Sequence, residues 1–138
     1  VTERPFALPR RIAVGAVLRV GGRVLLVRRA NPPSRGLWAL PGGRVEPDET
    51  LEAAVRREVL EETGVRVRVT RVLGVAERDD PDAGVRWVIV EFSVRAQDVS
   101  TLRAGDDAAE AAWFDEAELG RQPEVVRGVA AFLAAHPG

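Results

Sequence analysis

Apolar positions along the chain fall into short runs broken by glycine, proline and acidic residues, and this rhythm predicts the elements. Arg11–Val20 reads as a strand, Gly21-Gly22 as a turn, and Arg23–Arg29 as the hairpin partner. The polar stretch ANPPSRG predicts a loop. A short apolar piece follows, Leu37-Trp38-Ala39-Leu40, and then the breaker Pro41-Gly42-Gly43. The strongest helix pattern runs from about Thr50 to Thr63 and stops at Gly64, a residue suited to the left-handed position after a helix. Val65–Val75 alternates like a strand, Glu77–Gly84 reads as an acidic loop containing Pro81, and Val85–Val94 is strongly strand-prone. Gln97–Ala109 reads mostly as loop. Trp113-Phe114 suggests a short strand, Asp115 a cap for a helical turn, and Pro123–Ala135 a C-terminal helix.

Strands and helices interleave here without a strict βαβ alternation. The expected fold class is therefore α/β in the broad sense (α+β), a mixed sheet with packed helices, in a single domain over residues 1–138. No linker, repeat or low-complexity segment interrupts the pattern.

Within the central helix, residues placed about 100° apart put Leu51, Ala54 and Val55 on one arc. Glu58, Glu61 and Glu62 occupy the same arc one to two turns later, so an apolar stripe becomes acidic without leaving its face. Carboxylates at such spacing repel one another. A divalent cation would compensate them directly, because hard oxygen ligands suit Mg²⁺. Read alone, the acidic run is also compatible with a solvated helix face.

Composition narrows the chemistry. The 138 residues contain no cysteine, which excludes disulfides, thiolate metal sites and cysteine nucleophiles. The single histidine, His136, lies two residues from the C-terminus, which argues against a histidine-based triad. Any metal must be held by carboxylates, which favours Mg²⁺ or Mn²⁺. Net charge is -1, so no global basic field suggests nucleic-acid binding. All 20 basic residues are arginine, a bias that a GC-rich coding sequence explains for most of them. The longest apolar run is too short to span a bilayer and the N-terminus lacks a signal-peptide core, so no membrane partner and a cytoplasmic location are expected.

From Gly43 the spacing is Gly43, five residues, Glu49, seven residues, then Arg57-Glu58-Val59-Leu60-Glu61-Glu62-Thr63-Gly64-Val65. This matches every fixed position of the 23-residue Nudix box. The chain thus resembles the Nudix hydrolases, and the strand pair before the box, the GLWALPGG entry and the Trp-Phe strand extend the likeness. The resemblance implies a Nudix α/β/α sandwich with the box as a loop–helix–loop. It implies cleavage of a nucleoside diphosphate linked to a further moiety, with Mg²⁺ or Mn²⁺ as cofactor and a small nucleotide as partner. By the same likeness Glu58, Glu61, Glu62 and the Gly42 carbonyl are metal-ligand candidates, and Arg57 and Glu49 are expected to pair.

For catalysis, Glu61 or Glu62 is a candidate proton acceptor. Some family members carry an extra carboxylate before the Trp strand, which here makes Asp107, then Asp106 or Glu110, the candidates. Arg28 and Arg29 are candidates for substrate phosphate, of which at most one can face the site, since adjacent strand residues point to opposite faces. Trp38 and Trp87 could stack on a base or pack in the core. Arg78 and Glu91 complete the substrate-binding candidates. In the family, a proline about 16 residues past the box marks ADP-ribose pyrophosphatases, and Pro81 stands at that spacing from Val65. ADP-ribose, cleaved to AMP and ribose 5-phosphate, is the leading substrate expectation. Nucleoside triphosphates, including oxidised ones, come second, and a non-catalytic nucleotide-binding regulator is the alternative of another class. A homodimer through an exposed edge of the Val85–Val94 strand is also compatible with the sequence.

Overall fold

A computed structural model describes residues 7–31, 34–103 and 108–138 of the chain. Strands β1 (Arg10–Val20) and β2 (Arg23–Arg29) form the expected hairpin. Its turn places Gly21 and Gly22 at φ 57° and 78°, the positive values that a two-residue hairpin loop matching strand twist requires. Two short strands follow, β3 (Trp38–Ala39) and β4 (Gly42–Arg44), and then helix α1 (Leu51–Thr63). The chain continues through β5 (Arg68–Asp80), β6 (Val85–Arg95) and β7 (Ala108–Asp115). A 3-10 helix (Glu116–Arg121) and helix α2 (Val129–Ala135) close the described chain.

The sheet is mixed, with order β3-β2-β1-β6-β5; β4 also pairs with β1, and β7 with β2. Strand β1 is its hub. It pairs in parallel with β6 from Arg10↔Arg86 to Leu18↔Val94, and antiparallel with both β2 and β4. Alternation along β1 and β2 sends side chains to both faces, and both faces are covered. Val14, Ala16, Leu18 and Leu25 pack against Ala54, Val55 and Val59 of α1. Val17, Val24 and Leu26 pack against Leu119, Val129 and Leu133 on the opposite side. The result is the α/β/α arrangement.

Helix α1 begins where the Thr50 side chain accepts a hydrogen bond from the Ala53 amide at 3.1 Å. It ends at Gly64, whose φ of 73° lets its amide bond back to the Leu60 carbonyl.

Four sequence expectations need correction. The acidic loop Glu77–Gly84 shrinks to the turn Pro81–Gly84, because β5 runs on to Asp80 and stays paired with β6 down to Asp80↔Val85. The acidic side chains are tolerated there because arginines pair with them: Arg86 of the adjacent β6 binds Asp79, and Arg10 of β1, one strand further, binds Glu77. Strand β7 is longer than Trp113-Phe114 and takes in the end of the expected Gln97–Ala109 loop, since β2 supplies a pairing edge along its length. The C-terminal helix starts only at Val129, after Gly128 at φ 94°, so residues 123–128 are not helical; they form turns around Val125, which bridges to Trp38. Finally, β6 has no open edge, because β1 and β5 flank it; the outer strand on that side is β5.

Candidate active site

Helix α1 sets its three glutamates at graded depth. Glu62 is buried, the Glu58 side chain is 12% exposed, and that of Glu61 is 44% exposed. Val55 and Val59 anchor the helix to the sheet, so the acidic end of the stripe is carried against β4. Glu62 accepts a hydrogen bond from the Gly42 amide at 2.7 Å. A methyl group on Gly43 would stand 2.7 Å from the Glu58 carboxylate, so the absence of a side chain is what lets that carboxylate lie against the backbone. Gly42 is equally constrained, since a Cβ there would overlap the Val14 carbonyl oxygen.

Arg57 holds the row in place. Its guanidinium donates to both Glu49 oxygens at 2.6 and 2.8 Å, to Glu58 at 2.8 Å, to Glu61 at 3.3 Å and to the Arg44 carbonyl at 3.0 Å. One side chain thus ties the loop before α1, strand β4 and two of the three helical glutamates together. The hydrogen bond from Arg57 holds the Glu49 carboxyl down to about 2, assisted by the backbone at Glu46. The same contact raises the Arg57 guanidinium above its ordinary value.

Among the described residues, no three acidic or histidine side chains already converge in metal-binding geometry. The donor set nevertheless fits a hard cation: Glu58, Glu61 and Glu62 offer only oxygen and share one helix face, and Glu58 and Glu62 meet the side-chain-free pair Gly42-Gly43 at the start of β4.

That glycine pair also borders a cavity of about 500 Å³, lined among others by Gly15, Arg29, Arg78, Trp87 and Glu91. The sequence candidates separate here. Arg29 lines the cavity, whereas Arg28 forms an ion pair with Glu110 of β7. Trp87 lines it beneath the Arg44 guanidinium, 5.5 Å from the ring centroid, whereas Trp38 packs edge-on against Phe114 in the second apolar cluster. Arg78 and Glu91 both reach it from neighbouring strands. Burial pushes the Glu91 carboxyl up to about 7 against the opposing pull of Arg78. Burial, and then the nearby Arg29, lowers the Arg78 guanidinium. The Arg78 Nε is buried without a hydrogen-bond partner. Asp106 and Asp107 lie outside the described residues.

Gly15 was missed by sequence reasoning. A glycine inside a strand pattern marks a close approach, and that signal was available in IAVGAVLRV. The cavity wall from Val126 to Phe132 was hidden as well, because only tertiary packing brings it there.

Fold and site together define a protein of the Nudix class. The profile of the NUDIX domain matches residues 9–135, and the chain belongs to the Nudix family. An ADP-ribose pyrophosphatase from Methanocaldococcus jannaschii is 42% identical over 106 residues, covering 75% of this chain and 61% of that protein. A human 8-oxo-dGDP phosphatase is 34% identical over 111 residues, covering 78% of this chain and 33% of that protein. The chain therefore spans less than two thirds of either relative. Among solved structures, a MutT Nudix hydrolase from Burkholderia pseudomallei superposes with a TM-score of 0.79 at 31% identity, covering 91% of this chain and 96% of that one. Nudix hydrolases generally need divalent metal ions and act on small nucleotide substrates. No helix among the described residues is long and apolar enough to cross a membrane.

Proposed function

We propose that this chain hydrolyses the diphosphate linkage of a nucleoside diphosphate joined to a further group, with ADP-ribose, cleaved to AMP and ribose 5-phosphate, as its first substrate. The observation that carries the reading is the Gly42-Gly43 pair of β4, which touches Glu58 and Glu62 and also borders the arginine-bearing cavity. A substrate in that cavity would present its phosphates to the helical carboxylates. Glu58, Glu61 and Glu62 would hold Mg²⁺ or Mn²⁺. The ion supplies charge neutralisation on the phosphate oxygens and lowers the pKa of water.

The chain's own residues would do the rest. Arg29 and Arg78 share the cavity, and two guanidinium groups brought together favour an anion between them. Arg57 keeps Glu58 and Glu61 at fixed spacing, which is the preorganisation that phosphoryl substitution requires. Glu61 is the most exposed of the three carboxylates and the most loosely held, which favours it over Glu62 as acceptor of the water's proton. Asp107 is the candidate acceptor outside the box.

ADP-ribose is supported by the relative of that name and by Pro81. The human relative's name supports a second reading, the hydrolysis of oxidised guanine nucleotides. Phosphate release with Mg²⁺ across both substrate groups, with and without added phosphatase, separates them. Glu61→Gln and Glu62→Gln are expected to abolish turnover while the fold persists, and unchanged activity in both variants would defeat the assignment.

A further inference from the structure

Glu91 stands 5% exposed on β6 and borders the cavity, where burial disfavours its charge and only the nearby Arg78 pulls the other way. Burying a carboxylate costs free energy unless donors meet it, and a ligand in the cavity can supply them. Its position narrows what that donor is. In the sheet, Glu91 is level with Gly15 of β1, and Gly15 is level with Gly42 of β4. A methyl group on Gly15 would overlap the Glu91 carboxylate, so this side chain fills the space over Gly15 and leans toward the Gly42 strand. With strands about 4.8 Å apart, the carboxylate stands roughly one strand spacing from the glycine pair of β4 that meets the helical glutamates. Trp87 lies four residues back along the same strand, about 13 Å away.

Going outward from the scissile linkage, a nucleotide presents phosphate, then the sugar hydroxyls, then the base. The carboxylate beside Gly42 is at the level of the sugar. Vicinal hydroxyls also suit a carboxylate, which accepts one hydrogen bond on each oxygen. Resting on the nucleotide reading above, we propose that Glu91 binds the 2′ and 3′ hydroxyls of the ribose next to the diphosphate, and that Gly15 is the residue that makes room for it. The protein then prefers ribonucleotides over their 2′-deoxy counterparts.

The test is calorimetric binding of AMP, 2′-deoxy-AMP and GMP to the wild-type protein, Glu91→Ala and Gly15→Ala, with thermal melts to confirm folding. The wild type is expected to bind AMP about tenfold more tightly than 2′-deoxy-AMP, the worth of one hydrogen bond to a charged group. Both variants are expected to bring that ratio close to one. Gly15→Ala keeps the carboxylate and only displaces it, so it tests the geometry if Glu91→Ala fails to fold. A ratio that survives in the folded variants would overturn the inference. So would a change confined to the AMP-to-GMP ratio, which would make Glu91 a reader of the base, and so would a wild type that binds neither AMP nor 2′-deoxy-AMP. Absence of Mg²⁺-dependent hydrolysis alongside a Glu91-dependent ribose preference would overturn the proposed function and leave this inference standing.

Discussion

Gly43 sets the separation between backbone and carboxylate at the head of the site. A methyl group there stands 2.7 Å from Glu58, closer than carbon tolerates, so Gly43→Ala must push that side chain away. Turnover is expected to fall by about a hundredfold, as for other small displacements of catalytic groups, with the melting temperature little changed. An equal loss of stability and activity would show that the glycine serves the fold instead. Glu91 offers a second test at this scale, through its proton. Burial raises its carboxyl from 4.5 to about 7, so the folded chain binds more protons than the unfolded chain between those values. Stability therefore falls as pH rises through that window, by up to about 3 kcal/mol. Glu91→Gln removes the charge, and denaturant titrations are expected to show it gaining on the wild type above pH 7 but not below pH 4. Parallel pH profiles would contradict this. The box residues were legible because their spacing is fixed along one helix and its leading loop. Gly15 and the surroundings of Glu91 were not, because β1 and β6 lie far apart in sequence and only their pairing makes them neighbours.

Helix α1 is the element that turns spacing into geometry, and it depends on a capped start and a clamped loop. Thr50→Ala removes the cap from the Ala53 amide and is expected to cost about 1 kcal/mol in denaturant unfolding. The clamp behaves oppositely to Glu91 with pH. Arg57 lowers the Glu49 carboxyl to about 2, so its contribution is present above about 4.5 and is lost as pH falls toward 2. Glu49→Gln is expected to flatten that acid limb; a variant with the wild-type acid transition would show that the pair carries no stability. Other elements were less legible. The acids of Glu77–Asp80 look like loop until their cross-strand arginines are in place, and alternation continues under them. Gly128 divides what an apolar pattern alone reads as one C-terminal helix.

The whole molecule closes only when its second face is covered. Leu133 of α2 is 1% exposed beneath the sheet, and the neighbouring segment from Val126 to Phe132 also walls the cavity. Leu133→Ala is expected to destabilise the protein by about 2–5 kcal/mol, as for other fully buried leucines, and to weaken nucleotide binding with it. Loss of stability with unchanged binding would separate the wall from the site. Strand β1 carries a consequence of another kind. Its long parallel partner, β6, is some 75 residues downstream, and the partner of β2, strand β7, comes later still. The β1–β2 hairpin must therefore wait, unpaired along its outer flanks, until β6 and β7 have been synthesised. Such distant pairings slow folding, and an early release from the ribosome would leave two apolar strands open to aggregation.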